Sequence, residues 1–103
     1  MPYLPVRLSV KHGRQTPRIE ALIDSGAADT LFRADIGVAL GLDIPSGIHS
    51  VTSGIVPGHK IDVYFHDVNL WVGAGMIRIR AGFAPHMSIG AILGRRGSSS
   101  ISS

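Results

Sequence analysis

Asp24-Ser25-Gly26 follows directly on the aliphatic run Ala21-Leu22-Ile23. A run of that kind suits a strand entering a core. A carboxylate placed straight after it costs free energy to desolvate, so backbone N–H groups must hydrogen-bond it or its pKa must rise. The chemistry open to Asp24 is therefore that of a carboxylate whose protonation is set by its surroundings. Taken alone, Asp-Ser-Gly equally suits an Asx-turn; the buried run before it points to function.

The other chemistry-bearing residues are less pointed. Five histidines, at positions 12, 49, 59, 66 and 86, show no short paired spacing with a carboxylate on one face, so no metal site is expected. Zero cysteines exclude a disulfide framework and a thiolate zinc site. No cofactor is expected. Arg7, Arg14, Arg78 and Arg80 carry charge without an aromatic stacking platform beside them in sequence, which argues against nucleic acid as a partner.

Strands must position Asp24. Val6 to Lys11 alternates apolar and polar residues, His12 to Gln15 carries turn chemistry, and Ile19 to Ile23 returns, which predicts a hairpin. Thr30-Leu31-Phe32 extends again, and Ala34 to Leu42 reads as a short helix with Asp35 near its start and Gly41 near its end. Pro45 to Ser50 reads as a loop. Val51-Thr52-Ser53 and Ile61 to Phe65 flank Gly54-Ile55-Val56-Pro57-Gly58, a glycine-bounded hairpin tip with apolar residues at its centre. The inward parity of Ile61, Val63 and Phe65 then switches to Val68, Leu70 and Val72, which predicts a bulge or bend near His66-Asp67. Gly73-Ala74-Gly75 turns the chain into Ile77 to Ala81, with the isoleucines facing the core and Arg78 and Arg80 facing water. Ala91-Ile92-Leu93-Gly94-Arg95 repeats the form of Ala21 to Ser25, which suits a pseudo-symmetric β fold.

Composition agrees with strands. Twelve Ile, eight Val and three Thr stand against three Lys and Glu together. The 103 residues, 45% hydrophobic, form one domain at 1–97 with a serine-rich tail at 98–103. A chain this short buries only roughly 60–70% of its unfolded surface, so a deep cleft has to be shared with a partner. The net charge of +3 is a weak footprint for nucleic acid. Apolar runs fall far short of the ~20 residues that span a bilayer, and the N-terminus lacks the order of a signal peptide. A soluble, cytoplasmic protein without membrane association is the default expectation.

Ala21 to Leu31, with its Asp24-Ser25-Gly26-Ala27-Ala28-Asp29-Thr30 core, resembles the active-site stretch of retropepsins, the single-domain aspartic proteases of retroviruses and their cellular and bacterial relatives. Ile92-Leu93-Gly94-Arg95, about 70 residues downstream, is similar to that family's aliphatic-aliphatic-Gly-Arg segment, and Ser53 to His59 sits where a glycine-rich flap belongs. The resemblance spans nearly the whole chain. It implies an all-β fold, a small closed barrel with one short helix, active as a homodimer in which each chain gives one Asp24. It further implies a peptide substrate, with Asp24, Ser25 and Gly26 as the catalytic loop. Ala27, Ala28 and Asp29 would line the cleft, and Gly54, Ile55, Val56 and Gly58 would close over the substrate. Arg95 would support the site, and His59 beside the flap would affect closure through its charge.

Two departures stand out. Viral members pair the arginine with a carboxylate at the position held here by Ala28, so Arg95 must turn to Asp29 or another partner. Relatives carry bulky aromatics after Gly-Arg-x-Gly, whereas Ser98 to Ser100 follow here. Each missing aromatic removes about 1.5–3 kcal/mol of apolar burial from a subunit contact, so a weak dimer is expected. The competing function is a retropepsin-like module that has lost proteolysis and serves in dimerisation or peptide binding.

Overall fold

Alternation along Tyr3–Ser9 (β1) buries Val6 and Leu8 and leaves Pro5 and Arg7 in water. The computed structural model describes residues 2–10, 15–24, 26–52, 58, 60–85 and 87–95. β1 runs antiparallel to Ile19–Ile23 (β2), from Tyr3↔Leu22 to Val6↔Ile19, so the expected hairpin forms, with its first strand shifted to begin at Tyr3 and end at Ser9. Thr16 ties the connection: its N–H donates to the Leu8 carbonyl at 2.8 Å, and its hydroxyl accepts the Leu8 N–H at 3.0 Å.

Leu31–Arg33 (β3) leads into a helix, Ala34–Ala39 (α1), and a 3₁₀ turn at Ile44–Ser46. The helix is shorter than the Ala34 to Leu42 read from the sequence. Gly41 takes φ +87°, a left-handed conformation that ends the helix and redirects the chain. Ile48–Thr52 (β4) follows, then Ile61–Val72 (β5), Gly75–Ala84 (β6) and Ala91–Leu93 (β7). β4 corrects the expected loop at Pro45 to Ser50: Ile48 to Ser50 are strand, paired with Phe65 to Val63. Nearly every β4 residue is exposed, so its sequence carries no burial pattern.

Strand order is β1–β2–β7–β3–β6–β5, and Arg7↔Trp71, Leu8↔Leu70 and Ser9↔Asn69 pair β1 back to β5. Six strands thus close into a barrel, with β4 attached to β5 outside the ring. The all-β fold with one short α-helix is the architecture expected. Phe32 and Phe83, fully buried with ring centroids 6.0 Å apart, stand at its centre. Each such side chain contributes about 1.5–3 kcal/mol by burial.

The parity switch in β5 has a different cause from the one expected. Pairing with β6 is unbroken from Tyr64↔Phe83 to Val72↔Gly75, so no residue is inserted near His66-Asp67. Instead β5 belongs to two packing layers. Val63 packs with Leu31, Ala84, Met87 and Ile92, while Val68 and Leu70 use the other face to pack with Val6, Leu8 and Phe83. The tail at 98–103 lies outside the described residues. Among the described residues, no helix is long and apolar enough to cross a membrane.

Candidate active site

β2 and β7 lie side by side and parallel, with Ala21↔Ala91, Leu22↔Ile92 and Ile23↔Leu93 in register. These are the segments whose sequences repeat one another. Two alanines face each other, both fully buried, and the small pair lets the strands enter the core together. The ladder continues one step into the loop, where the Asp24 N–H donates to the Leu93 carbonyl at 3.1 Å.

Asp24 then turns the chain. One carboxylate oxygen, Oδ1, accepts the Gly26 N–H at 3.0 Å, and the Asp24 carbonyl accepts the Ala27 N–H at 3.0 Å. The Asx-turn geometry that the tripeptide suits on its own is therefore present. Expected desolvation is not: within one chain the Asp24 side chain is exposed, and Ile23 beside it is 44% exposed. This corrects the sequence argument. Burial stops at Ala21, with Leu22 half-buried and Ile23 exposed, and among the described residues no element of the same chain covers the carboxylate.

Loop 24–30 is held from below by Gly94 and Arg95. The Gly94 N–H donates to Thr30 Oγ1 at 3.1 Å, the Arg95 N–H donates to the Ala27 carbonyl at 3.0 Å, and the Gly82 N–H donates to the Thr30 carbonyl at 2.9 Å. A Cβ on residue 94 would overlap the Asp29 carbonyl oxygen and lie 2.9 Å from the Ala27 oxygen, so only glycine allows this approach. Thr30, 2% exposed, is the residue sequence reasoning missed. A lone threonine before Leu31-Phe32 gave no signal that its hydroxyl would meet a glycine 64 positions away.

Of the residues expected at the site, Asp24, Gly26, Ala27, Ala28 and Asp29 share this one loop, with Ala27 and Asp29 half-buried and the others exposed. Arg95 meets the loop through its backbone. Asp29 also lines a recess of about 650 Å³ with Ile48, Ser50, Phe65, Asp67 and Arg80. That recess joins the loop to the β4–β5 hairpin, whose last described pair is Thr52↔Ile61. Gly58 is exposed with φ +80°. Ser25, Gly54, Ile55, Val56 and His59 lie outside the described residues. On the barrel's outer surface, Trp71 of β5 is the register partner of Arg7 of β1.

No family model matches the sequence, and no curated protein matches it. Solved structures do resemble the fold. The EIAV protease, solved in complex with an inhibitor, superposes with a TM-score of 0.66 at 18% identity, over 99% of this chain and 88% of that one. A retropepsin-like aspartic protease from Rickettsia conorii superposes with a TM-score of 0.62 at 16% identity, over 91% of this chain and 68% of that one. The chain has the retropepsin-like fold.

Proposed function

We propose that this chain is an aspartic endopeptidase of the retropepsin type, active as a homodimer whose catalytic pair is Asp24 and Asp24 of the partner subunit. The observation that carries the reading is the loop itself. It projects an uncovered carboxylate from paired strand ends, on a backbone held at both sides by Leu93, Gly94 and Thr30. Exposure of Asp24 and Ile23 in the single chain fits a site completed by a second copy.

Two carboxylates a few ångströms apart cannot both ionise readily, so the pair shares one proton. The ionised member takes a proton from water as its oxygen attacks the scissile carbonyl carbon. The protonated member donates to the carbonyl oxygen as charge develops there. As the tetrahedral intermediate collapses and the C–N bond breaks, the carboxyl that took the water's proton gives it to the leaving nitrogen, and a hydroxyl of the intermediate returns its proton to the other carboxylate. Ser25 would bridge the two loops. Ala27, Ala28 and Asp29 would align an extended substrate, with Gly54, Ile55, Val56 and Gly58 closing over it to exclude water.

The test is peptidase activity against protein concentration. Below the dimer dissociation constant, activity should rise with the square of concentration, and Asp24→Asn should abolish cleavage with thermal stability retained. Full activity from a species shown by sedimentation to be monomeric would overturn the reading. An inactive but confirmed dimer would transfer the site to peptide binding or dimerisation alone.

A further inference from the structure

The odd-numbered residues of β5 continue from the recess onto the outside of the barrel. Phe65 lines the recess beside Asp29; Asp67, Asn69 and Trp71 follow on the same face, opposite Arg80, Arg78 and Met76 of β6. Arg7 of β1 then stands opposite Trp71. Alternate residues on a strand are ~6.6 Å apart, so Phe65 to Trp71 marks a track of ~20 Å leading away from the cleft.

Charge along the track is unbalanced. Arg80 is paired with Asp67 at 3.3 Å, whereas Arg78 donates to the neutral Asn69 oxygen, also at 3.3 Å. Among the described residues, neither Arg7 nor Arg78 has a carboxylate partner. Of the other charged residues described, Arg18 lines a second recess with Arg7 and Trp71 and is itself paired with Glu20, and Asp29 lines the recess at the cleft end. Trp71 lies half-buried between the arginines, its indole N–H donating to Ser9 Oγ at 2.8 Å, and Met76 opposite it is 47% exposed. An exposed surface with two uncompensated guanidinium groups around a fixed aromatic plane favours an anionic chain.

We propose that this track is a docking site for an acidic stretch of the polypeptide substrate, flanking the segment held in the cleft. The inference rests on the cleft accepting an extended peptide, as in the preceding reading. A polypeptide is favoured over single-stranded nucleic acid because the track is continuous with the recess at Asp29. Non-specific binding of nucleic acid also calls for successive stacking platforms, and the track has one. Docking raises the local concentration of substrate, so it acts on KM.

Trp71 is the only tryptophan of the chain, so its fluorescence reads the site directly. Acetylated, amidated hexaglutamate titrated into the full chain should change Trp71 emission saturably, with affinity falling as salt rises from 50 to 500 mM, roughly as expected for screened charges. Arg7→Gln and Arg78→Gln should each weaken binding about threefold, and the double variant about tenfold, while Arg33→Gln should leave it unchanged. Substrates of one core sequence with an acidic flank on either side should have a lower KM than the neutral-flanked peptide on at least one side, at equal kcat. Arg7→Gln should remove that advantage without affecting the neutral substrate. No hexaglutamate response, or a response that both arginine variants retain, would overturn the proposal, as would binding of oligothymidylate in its place. Arginine-dependent hexaglutamate binding without cleavage of any peptide would support the track while refuting the protease reading. Cleavage with no flank preference and no Trp71 response would do the opposite.

Discussion

Replacing Gly94 by alanine tests whether loop 24–30 is held by backbone contact with the Gly94-Arg95 segment. The added Cβ would overlap the Asp29 carbonyl oxygen and lie 2.6 Å from its carbonyl carbon and 2.9 Å from the Ala27 oxygen, where ordinary contact begins at 3.4 Å. All three atoms are backbone, so no rotamer change relieves them. Moving the 27–29 segment away stretches the Arg95 N–H to Ala27 bond, now 3.0 Å, beyond hydrogen-bonding range. Overpacking costs about 1–3 kcal/mol, and one or two lost hydrogen bonds add about 1 kcal/mol each. The expected destabilisation is therefore about 3–4 kcal/mol, which lowers Tm by about 15–25 °C in a domain of this size.

Gly90→Ala is the matched control. Its Cβ would meet only Ile19 Cγ2 at 3.6 Å and Ile36 Cδ1 at 4.0 Å, both ordinary contacts. Reduced freedom of the unfolded chain leaves this variant as stable as the parent or about 0.4–1 kcal/mol more so. Circular dichroism melts at several protein concentrations make the comparison, since any self-association makes Tm concentration-dependent. If Gly94→Ala melts within about 3 °C of Gly90→Ala at every concentration, the loop is not held as described.

Two further outcomes follow from the same contacts. Thr30→Val leaves the buried Gly94 N–H without its acceptor and should cost about 1–3 kcal/mol in urea unfolding, whereas Thr30→Ser keeps the hydroxyl and should recover most of it; equal losses would refute the role of the hydroxyl. The Arg33 hydrogen bond at 2.8 Å holds the Asp35 carboxyl below its ordinary value of 3.8. The ionised form therefore adds stability that is fully present above the unfolded value and lost as pH falls through the lowered folded one. Because the pair is exposed, Asp35→Asn should cost less than about 1 kcal/mol at pH 7. Its difference from the parent should vanish in acid, checked by urea unfolding at both pH values.

Legibility in the sequence followed burial. Strand β1 was readable because Val6 and Leu8 alternate with Pro5 and Arg7. Likeness between Ala21 to Ile23 and Ala91 to Leu93 anticipated two strands that the fold places in register. The first part of β4, Ile48 to Ser50, is invisible in the sequence because it is exposed and owes its conformation to pairing with β5. The helix reads too long from the sequence because Leu40 and Leu42 continue the apolar pattern past the point where Gly41 turns the chain. In β5 the parity switch was visible but its cause was not, since one regular strand can bury opposite faces at its two ends only if two layers exist to receive them. Thr30 and Trp71 were silent for a related reason. Their partners, Gly94 and Arg7, are 64 positions away in both cases, and only strand order brings them together.

The same distinction separates what folding supplies at Asp24 from what assembly must supply. Gly26, Leu93, Gly94 and Thr30 fix the loop within one chain, so its ordering belongs to the folding free energy of the barrel. On the proposed reading, association then has only to bring two formed loops together, which spares the cost of ordering them at the encounter. A catalytic pair built this way is separable by mutation. On that reading, changes at Asp24 should remove chemistry and leave both fold and association, whereas changes at Thr30 or Gly94 should lower stability first and lose activity as a consequence. A Thr30 variant that remained fully folded yet inactive would place the hydroxyl in the chemistry itself, and would refute the assignment of positioning to the Thr30–Gly94 contact.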